Sequence, residues 1–446
     1  MRVAVLLGIA AIVAYSSNLL LHIEGDASPN VLSAASWVAQ GNADLDEYVG
    51  RAPFSLQIID GHAYPGNPPG TALLAVVPVG LAMAFGADPA SYEFLAAFGK
   101  IAGVLTAGLS VVFVYLACAA IARPVPAAVA TVAYAFGTTL WSVSAQQIWM
   151  HGPAQLFLAA GLALLIRGRG SPRAGLALGL AAAIRPVDAI VAAVGVLAAR
   201  RQGFARRYVA WGVPAAAFLF TYYVIAFRGV RESYGDIPWA FPPPGWLGLL
   251  ISPSRGLLIY SPYLLFAAAG FVMAWRARRD EGALIVRDAS LAALGIYAVY
   301  SLFGAWWAGW AYGTRYLSDA QPLYALAVAF ALDRGAVARL WTRIAFAATL
   351  AWSVLVHFAG AGWYYLFWNG YHWDVTPNID RTSYRLWDWA DTQWGFVLRR
   401  MFADPGFTLI PTLGGAAIAA LIVWRAYASA RVQELATAQH EEVVQA

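Results

Sequence analysis

Cysteine and lysine are almost missing from this chain: 446 residues hold one of each, Cys118 and Lys100. A lone cysteine excludes a disulfide framework and any thiolate-based zinc site, and within its apolar run Cys118 reads as a small core residue. With Lys100 the single lysine, nearly all positive charge is arginine. The arginines sit in short loops between apolar runs, as orientation signals do, so the net charge of +5 outlines no groove for nucleic acid. Charge of either sign is scarce. Only 12% of residues are charged against 61% hydrophobic, about half the charged share that covers a soluble domain of this length. Walker loops, GxSxG, HExxH and a GxGxxG in a βαβ setting are all absent. No nucleotide or redox cofactor is therefore expected.

What is present is apolar helix. Runs long enough for a helical span lie at 3–21, 71–86, 101–121, 125–143, 149–166, 209–227, 256–275, 288–306, 317–332, 342–360 and 406–425. The first follows Met1-Arg2 and reads as an uncleaved anchor, since no small-x-small cleavage site precedes His22. A further stretch, 174–199, is interrupted by Ile184-Arg185-Pro186. Proline disfavours helix at the residue before it, so this reads as two short helices, 174–183 and 187–199, meeting at Arg185 with Asp188 in the second one's first turn. The expected fold is an all-α polytopic membrane protein of about 10–12 transmembrane helices with outer interfacial helices and loops, forming one domain over 1–428.

Arginine-rich loops at 167–173, 200–207, 276–279 and 334–343 read as cytoplasmic. That makes 174–199 a hairpin, with Arg185 on the cytoplasmic side and remote from any outer acid. With Met1 also inside, one segment between 71 and 143 cannot cross, and the shortest, 71–86, is chosen as re-entrant or interfacial. The outer side then holds loops 22–70, 228–255 and 361–405, rich in Trp, Tyr and Pro. Their aromatics suit an interfacial belt, or a platform for sugar rings or lipid. The tail 429–446 reads as short, cytoplasmic and a frayed helix.

Four places could carry chemistry. Glu24 and Asp26 stand just beyond the first span, with Gly25 and Pro29 favouring a non-helical exit. Such carboxylates can hold a divalent cation (magnesium or manganese) or supply a general base, or they simply face water at a span end. The run His62-Ala-Tyr-Pro-Gly-Asn-Pro-Pro-Gly70 is a rigid loop feeding a helix N-terminus, a place for phosphate or merely a helix start. Arg255, in Ser252-Pro-Ser-Arg-Gly, stands at an outer helix entrance, where it binds phosphate or reaches lipid headgroups. The run Trp306-Trp-Ala-Gly-Trp-Ala-Tyr-Gly-Thr-Arg-Tyr316 puts Arg315 and Tyr316 in an aromatic cradle, with Asp319 at i+4 from Arg315 as an alternative partner. His151 reads as a core or interfacial residue. Asp44, Asp46 and Glu47 read as a solvated loop or a secondary cation site.

This order of features resembles the GT-C superfamily of membrane glycosyltransferases, near the protein O-mannosyltransferase and aminoarabinose-transferase-like group. The features are a span with acids at its outer end, a Pro-Pro-Gly turn into an apolar helix, Arg-Pro between short helices, and Gly-Thr-Arg-Tyr before a span. The chain departs from many members at Gly25 and Ala27, where they carry larger polar or aromatic residues, and in lacking a sizeable soluble C-terminal domain. The resemblance implies transfer of a sugar from a polyprenyl-phosphate donor to a hydroxyl acceptor (lipid, glycan or protein) at the outer face. It implies Asp26 as general base and Glu24 as its partner or a metal ligand. Displacing a lipid phosphate leaves negative charge that His62, Arg255, Arg315 and Tyr316 could receive. The Ala- and Arg-rich composition points to a bacterial inner membrane, with the site facing the periplasm. A transporter or flippase for lipid-linked sugars is the alternative, and would show paired charges deep in the spans. A non-catalytic scaffold would need no convergent acids.

Overall fold

The computed structural model describes the chain except residues 24, 52–55, 169, 228–238, 278–279, 370–378, 380–381 and 446, with backbone only at 368–369 and 440–445. The fold is all-α: 73% is helical, with one two-stranded hairpin among the described residues. In order come α1 (Arg2–Ser16), α2 (Ser28–Ala39), α3 (Gly70–Ala84), α4 (Tyr92–Cys118), α5 (Pro124–Phe136), α6 (His151–Arg167), α7 (Arg173–Ile184), α8 (Ala189–Arg201) and α9 (Ala205–Phe227). The longer helices that follow are Leu265–Arg276, Glu281–Ser301, Gln321–Asp333, Leu340–Ala359, Gln393–Ala403 and Leu409–Gln445. Among the described residues, five segments are long and apolar enough to cross a membrane: α4, α9, Glu281–Ser301, Leu340–Phe367 and Leu409–Gln439. Their outward faces are apolar as well, with Val213, Phe220, Leu294, Trp341 and Leu421 all exposed. Such surface is a liability in water and ordinary against hydrocarbon.

Small residues set the helix crossings, as they do where lipid removes the hydrophobic drive between helices. A Cβ on Gly8 of α1 would stand 2.5 Å from Val112 of α4, and one on Gly108 would stand 2.4 Å from Ile12. Where α7 meets α9, a Cβ on Gly175 would fall 1.9 Å from the Tyr208 carbonyl oxygen. These contacts bring α7, α8 and α9 together as one wall of the cavity described below.

The interruption at Arg185-Pro186 is where the sequence puts it. Arg185 is extended (φ −136°, ψ 107°), as a residue before proline should be, and a 3-10 turn over Pro186–Asp188 leads into α8. The loop 22–70 is more regular than expected. It contains α2, started by Ser28-Pro29, and the hairpin Leu56–Ile59/His62–Pro65 closed by Asp60-Gly61, both with positive φ. That dihedral pair is what a two-residue hairpin turn demands. At the other end, the tail expected to fray is part of one 37-residue helix. At about 1.5 Å per residue this helix outruns a hydrocarbon core of about 30 Å. Its Glu434 accepts from the Val125 amide (3.2 Å) and pairs with Arg123 (3.4 Å), which ties the tail to the start of α5.

Gly70, the last residue of the Pro-Pro-Gly turn, joins α3 to the end of α7. A Cβ there would lie 2.6 Å from the backbone of Ala183 and Ile184, immediately before Arg185. Gly70→Ala is therefore expected to lower the thermal midpoint of the purified protein, at a cost of about 1–3 kcal/mol for overpacking against unyielding backbone. An unchanged midpoint would mean that the contact is not tight.

Candidate functional site

A cavity of about 920 Å³ opens between α7, α8, α9 and the helix Glu281–Ser301. Its chemistry is split. The lining supplied by α7, α8 and α9, its largely aliphatic arm, carries Gly179, Ala182, Ala192, Val213 and Leu219, with the rings of Phe220 and Tyr223 among them. The other end is polar and gathers Asp26, Trp149, His151, Arg185, Arg315 and Tyr316, brought from distant parts of the chain.

Asp26 is the first of these to place. It sits in the turn before α2, and its backbone carbonyl accepts from Asn67 Nδ2 (2.8 Å) and Asn30 Nδ2 (3.4 Å). Asn30 also donates to the Ile148 carbonyl (3.0 Å), so the turn is tied to the segment carrying Trp149 and His151. Asn67 belongs to the Pro-Gly-Asn-Pro-Pro-Gly run. That run is a joint holding Asp26 through Asn67 and the α7 terminus through Gly70, while the N-terminus of α3 is packed against protein. The carboxylate of Asp26, 40% exposed, accepts from Arg315 Nη1 at 2.8 Å.

Arg315 is presented by a loop fixed from beneath. Ala308, Gly309 and Gly313 take positive φ there. Arg255, 1% exposed, donates to the carbonyls of Ala311 (2.5 Å) and Gly309 (2.9 Å). Gln393 accepts from the Gly313 amide at 2.8 Å and donates to the Ala311 carbonyl at 3.0 Å. Arg255, expected to meet phosphate, is instead a buried clamp on backbone and does not line the cavity. The guanidinium carbon of Arg315 lies 5.2 Å from the centre of the Trp149 ring and 5.8 Å from that of Tyr316, so two rings face it, Tyr316 from the run read in the sequence and Trp149 from outside it. Tyr316 stacks on Tyr300, centroids 4.6 Å apart and nearly parallel.

The i+4 pairing of Arg315 with Asp319 does not form. Residues Arg315–Ala320 make a 3-10 helix, whose three-residue period places Ser318 rather than Asp319 beneath Arg315, and Ser318 Oγ donates to the Arg315 carbonyl at 2.5 Å. Asp319 turns to Arg185 instead, accepting from Nε at 2.5 Å. Arg185 also donates to the Tyr300 hydroxyl, and His151 lies 3.4 Å from Arg185 Nη1 and 3.6 Å from Asp319 Oδ1. Arg185, expected far from Asp26, thus lines the same cavity. The break before Pro186 does not face a loop; it packs inside the protein, where the guanidinium needs a partner. Asp188 is fully buried in the adjoining turn, and neither of its carboxyl oxygens has a hydrogen-bond partner among the described residues.

His62 does not join this site. It is on the hairpin and exposed, with Nδ1 2.7 Å from Asp46 Oδ2. The Ala63 amide (2.7 Å) and His62 together hold the Asp46 carboxyl below the usual carboxylate range. Asp44, Asp46 and His62 bring three ligand-type atoms within 4.8 Å of one another, the grouping that fits a cation among the described residues. Glu24, the expected partner of Asp26, lies outside the described residues. Sequence reasoning missed Arg185, His151, Trp149, Asn30 and Asn67 as members of one site. Only the Arg-Pro break and the Pro-Gly-Asn-Pro-Pro-Gly run signalled their special backbone.

No known protein family, curated protein or solved structure matches the chain.

The buried cluster makes a stability prediction. Asp319→Asn leaves the Arg185 guanidinium without its charged partner and should cost about 3–5 kcal/mol, as breaking a buried ion pair does. Asp188→Asn keeps the shape of a group that makes no hydrogen bond among the described residues, so the thermal midpoint should hardly move. Equal losses from the two substitutions would contradict this division of roles.

Proposed function

We propose that this chain is an integral membrane glycosyltransferase of the GT-C type, moving a sugar from a polyprenyl-phosphate donor to a hydroxyl acceptor. The observation that carries the reading is the meeting of Asp26 with Arg315 across 289 positions of sequence, at the polar end of a cavity whose other arm is aliphatic. A base and a phosphate-binding guanidinium side by side are what such a transfer needs, and an apolar arm suits a prenyl chain. In this reading the acceptor oxygen bonds to the anomeric carbon as the bond from that carbon to the phosphate oxygen breaks. Asp26 takes the hydroxyl proton, and Arg315 faces the charge left on the lipid phosphate. Tyr316, stacked on Tyr300, is the flat wall beside the reacting sugar.

A resident magnesium or manganese ion at Asp26 fits poorly with the residues described. The carboxylate already faces a guanidinium at 2.8 Å, which a dication would have to displace. We therefore assign the phosphate charge to Arg315. The proposal retains a single domain over 1–428, about 10–12 crossings, the outer loops and a periplasmic site in a bacterial inner membrane.

One observation favours a second reading, a transporter or flippase for lipid-linked sugars. Arg185 and Asp319 form a buried ion pair beside the cavity, with His151 and Asp188 next to it, and such groups mark translocation pathways in many membrane proteins. Asp26→Asn separates the two. In membranes given a polyprenyl-phosphate sugar, transfer should fall about 10²–10⁴-fold, the usual contribution of a general base. Transfer near the wild-type rate would remove Asp26 as the base, and lipid movement without transfer in the wild type would favour the transporter.

A further inference from the structure

The three guanidinium groups around the site are held in different ways. Arg255 is locked onto backbone carbonyls, and Arg185 onto Asp319 and Tyr300. Arg315 lies between two aromatic faces, with its edge toward the half-exposed carboxylate of Asp26. We propose that the Asp26–Arg315 pair is a latch opened by phosphate. A phosphate ester entering the cavity takes the Arg315 edge and releases Asp26, so that the base becomes available only once the phosphate-bearing ligand is seated.

This inference rests on the reading of the cavity as a lipid-phosphate site, and adds an order of events to it. The geometry confines the exchange to one side chain. The Trp149 and Tyr316 rings hold the guanidinium in place, and Asn67 and Asn30 hold the Asp26 carbonyl. In the latch the Asp26 carboxylate rotates about this fixed backbone. The Arg315 side chain is 12% exposed and that of Asp26 40%, so water reaches the acid side of the pair and weakens it, whereas phosphate offers a guanidinium two parallel hydrogen bonds. Arg185 is a poor rival for the ligand, because taking it would leave buried Asp319 unpaired. The aliphatic arm adds affinity for a tailed phosphate that a free phosphate ion lacks. No bond is made or broken in the exchange; the latch gates the base and leaves the transfer chemistry unchanged.

The test is a binding cycle on the purified full chain, titrated with a short prenyl phosphate, with the matching prenyl alcohol and with inorganic phosphate. If Asp26 competes for Arg315, Asp26→Asn should tighten prenyl phosphate binding roughly two- to fivefold, the worth of a pair whose acid is partly exposed. Arg315→Gln should weaken it roughly ten- to a hundredfold. In the Arg315→Gln background Asp26→Asn should then bring no gain. Arg315→Lys, which keeps the charge without the paired donors, should fall between and serves as a second variant. A gain of equal size in both backgrounds would mean simple charge repulsion and overturn the latch, as would a gain seen with the alcohol or no gain at all. Inorganic phosphate giving the same gain at the same concentrations would support the latch while assigning it to a free anion. If prenyl phosphate binds neither wild type nor variant, the lipid-phosphate reading itself falls, a result distinct from measurable binding that Asp26→Asn leaves unchanged.

Discussion

A guanidinium inside an apolar bundle must have partners, and the polar end of this protein follows from how three of them are provided. Leaving such a charge unpaired away from water is strongly destabilising, so each arginine near the cavity fixes whatever it touches. Arg255 fixes the loop around Gly309 and Ala311, Arg185 fixes Asp319 and the Tyr300 hydroxyl, and Arg315 meets Asp26. The first two assemblies are buried and rigid. Arg185 and Arg315 both reach the cavity, but Asp319 is fully buried whereas Asp26 is 40% exposed, and that difference between the two acids is what sets the third pair apart.

The Pro-Gly-Asn-Pro-Pro-Gly run ties those assemblies together. Asn67 grips the backbone of Asp26, and Gly70 lets α3 approach the last residues of α7 without a Cβ between them. The two carriers of the site, the Asp26 turn and the Arg185 break, therefore share one rigid support. Its prolines limit the conformations of the unfolded segment, and the glycine permits the close approach. Asn30, with one amide on the Asp26 carbonyl and on that of Ile148, extends this support to Trp149.

Much of the fold was legible because apolar runs and proline breaks are local signals. The helices α1, α4 to α9 and the interruption at Arg185 follow from run length and from the restriction that Pro186 places on its neighbour. Asp26 stood out because it leaves a span beside Gly25 and before Pro29. The pairing of charges was not legible. Arg315 has Asp319 four residues away, and only the 3-10 geometry turns those side chains to different partners, Asp26 and Arg185. Counting arginines as orientation signals also misplaced Arg185, since a charge satisfied by a distant acid looks in sequence like one that faces water. Within 22–70, the Asp60-Gly61 hairpin turn and the Ser28-Pro29 helix start were local signals hidden by treating the region as loop.

The central claim is that Arg315 and the aliphatic arm form one site for a phosphate on an apolar chain. A structure determined in lipid nanodiscs with a prenyl-phosphate sugar tests it most directly. The account predicts the phosphate within hydrogen-bond distance of Arg315, the prenyl chain along Gly179 and Val213, and the Asp26 carboxylate turned from Arg315 toward the sugar. A phosphate bound away from Arg315, or a chain lying outside the wall formed by α7, α8 and α9, would contradict it.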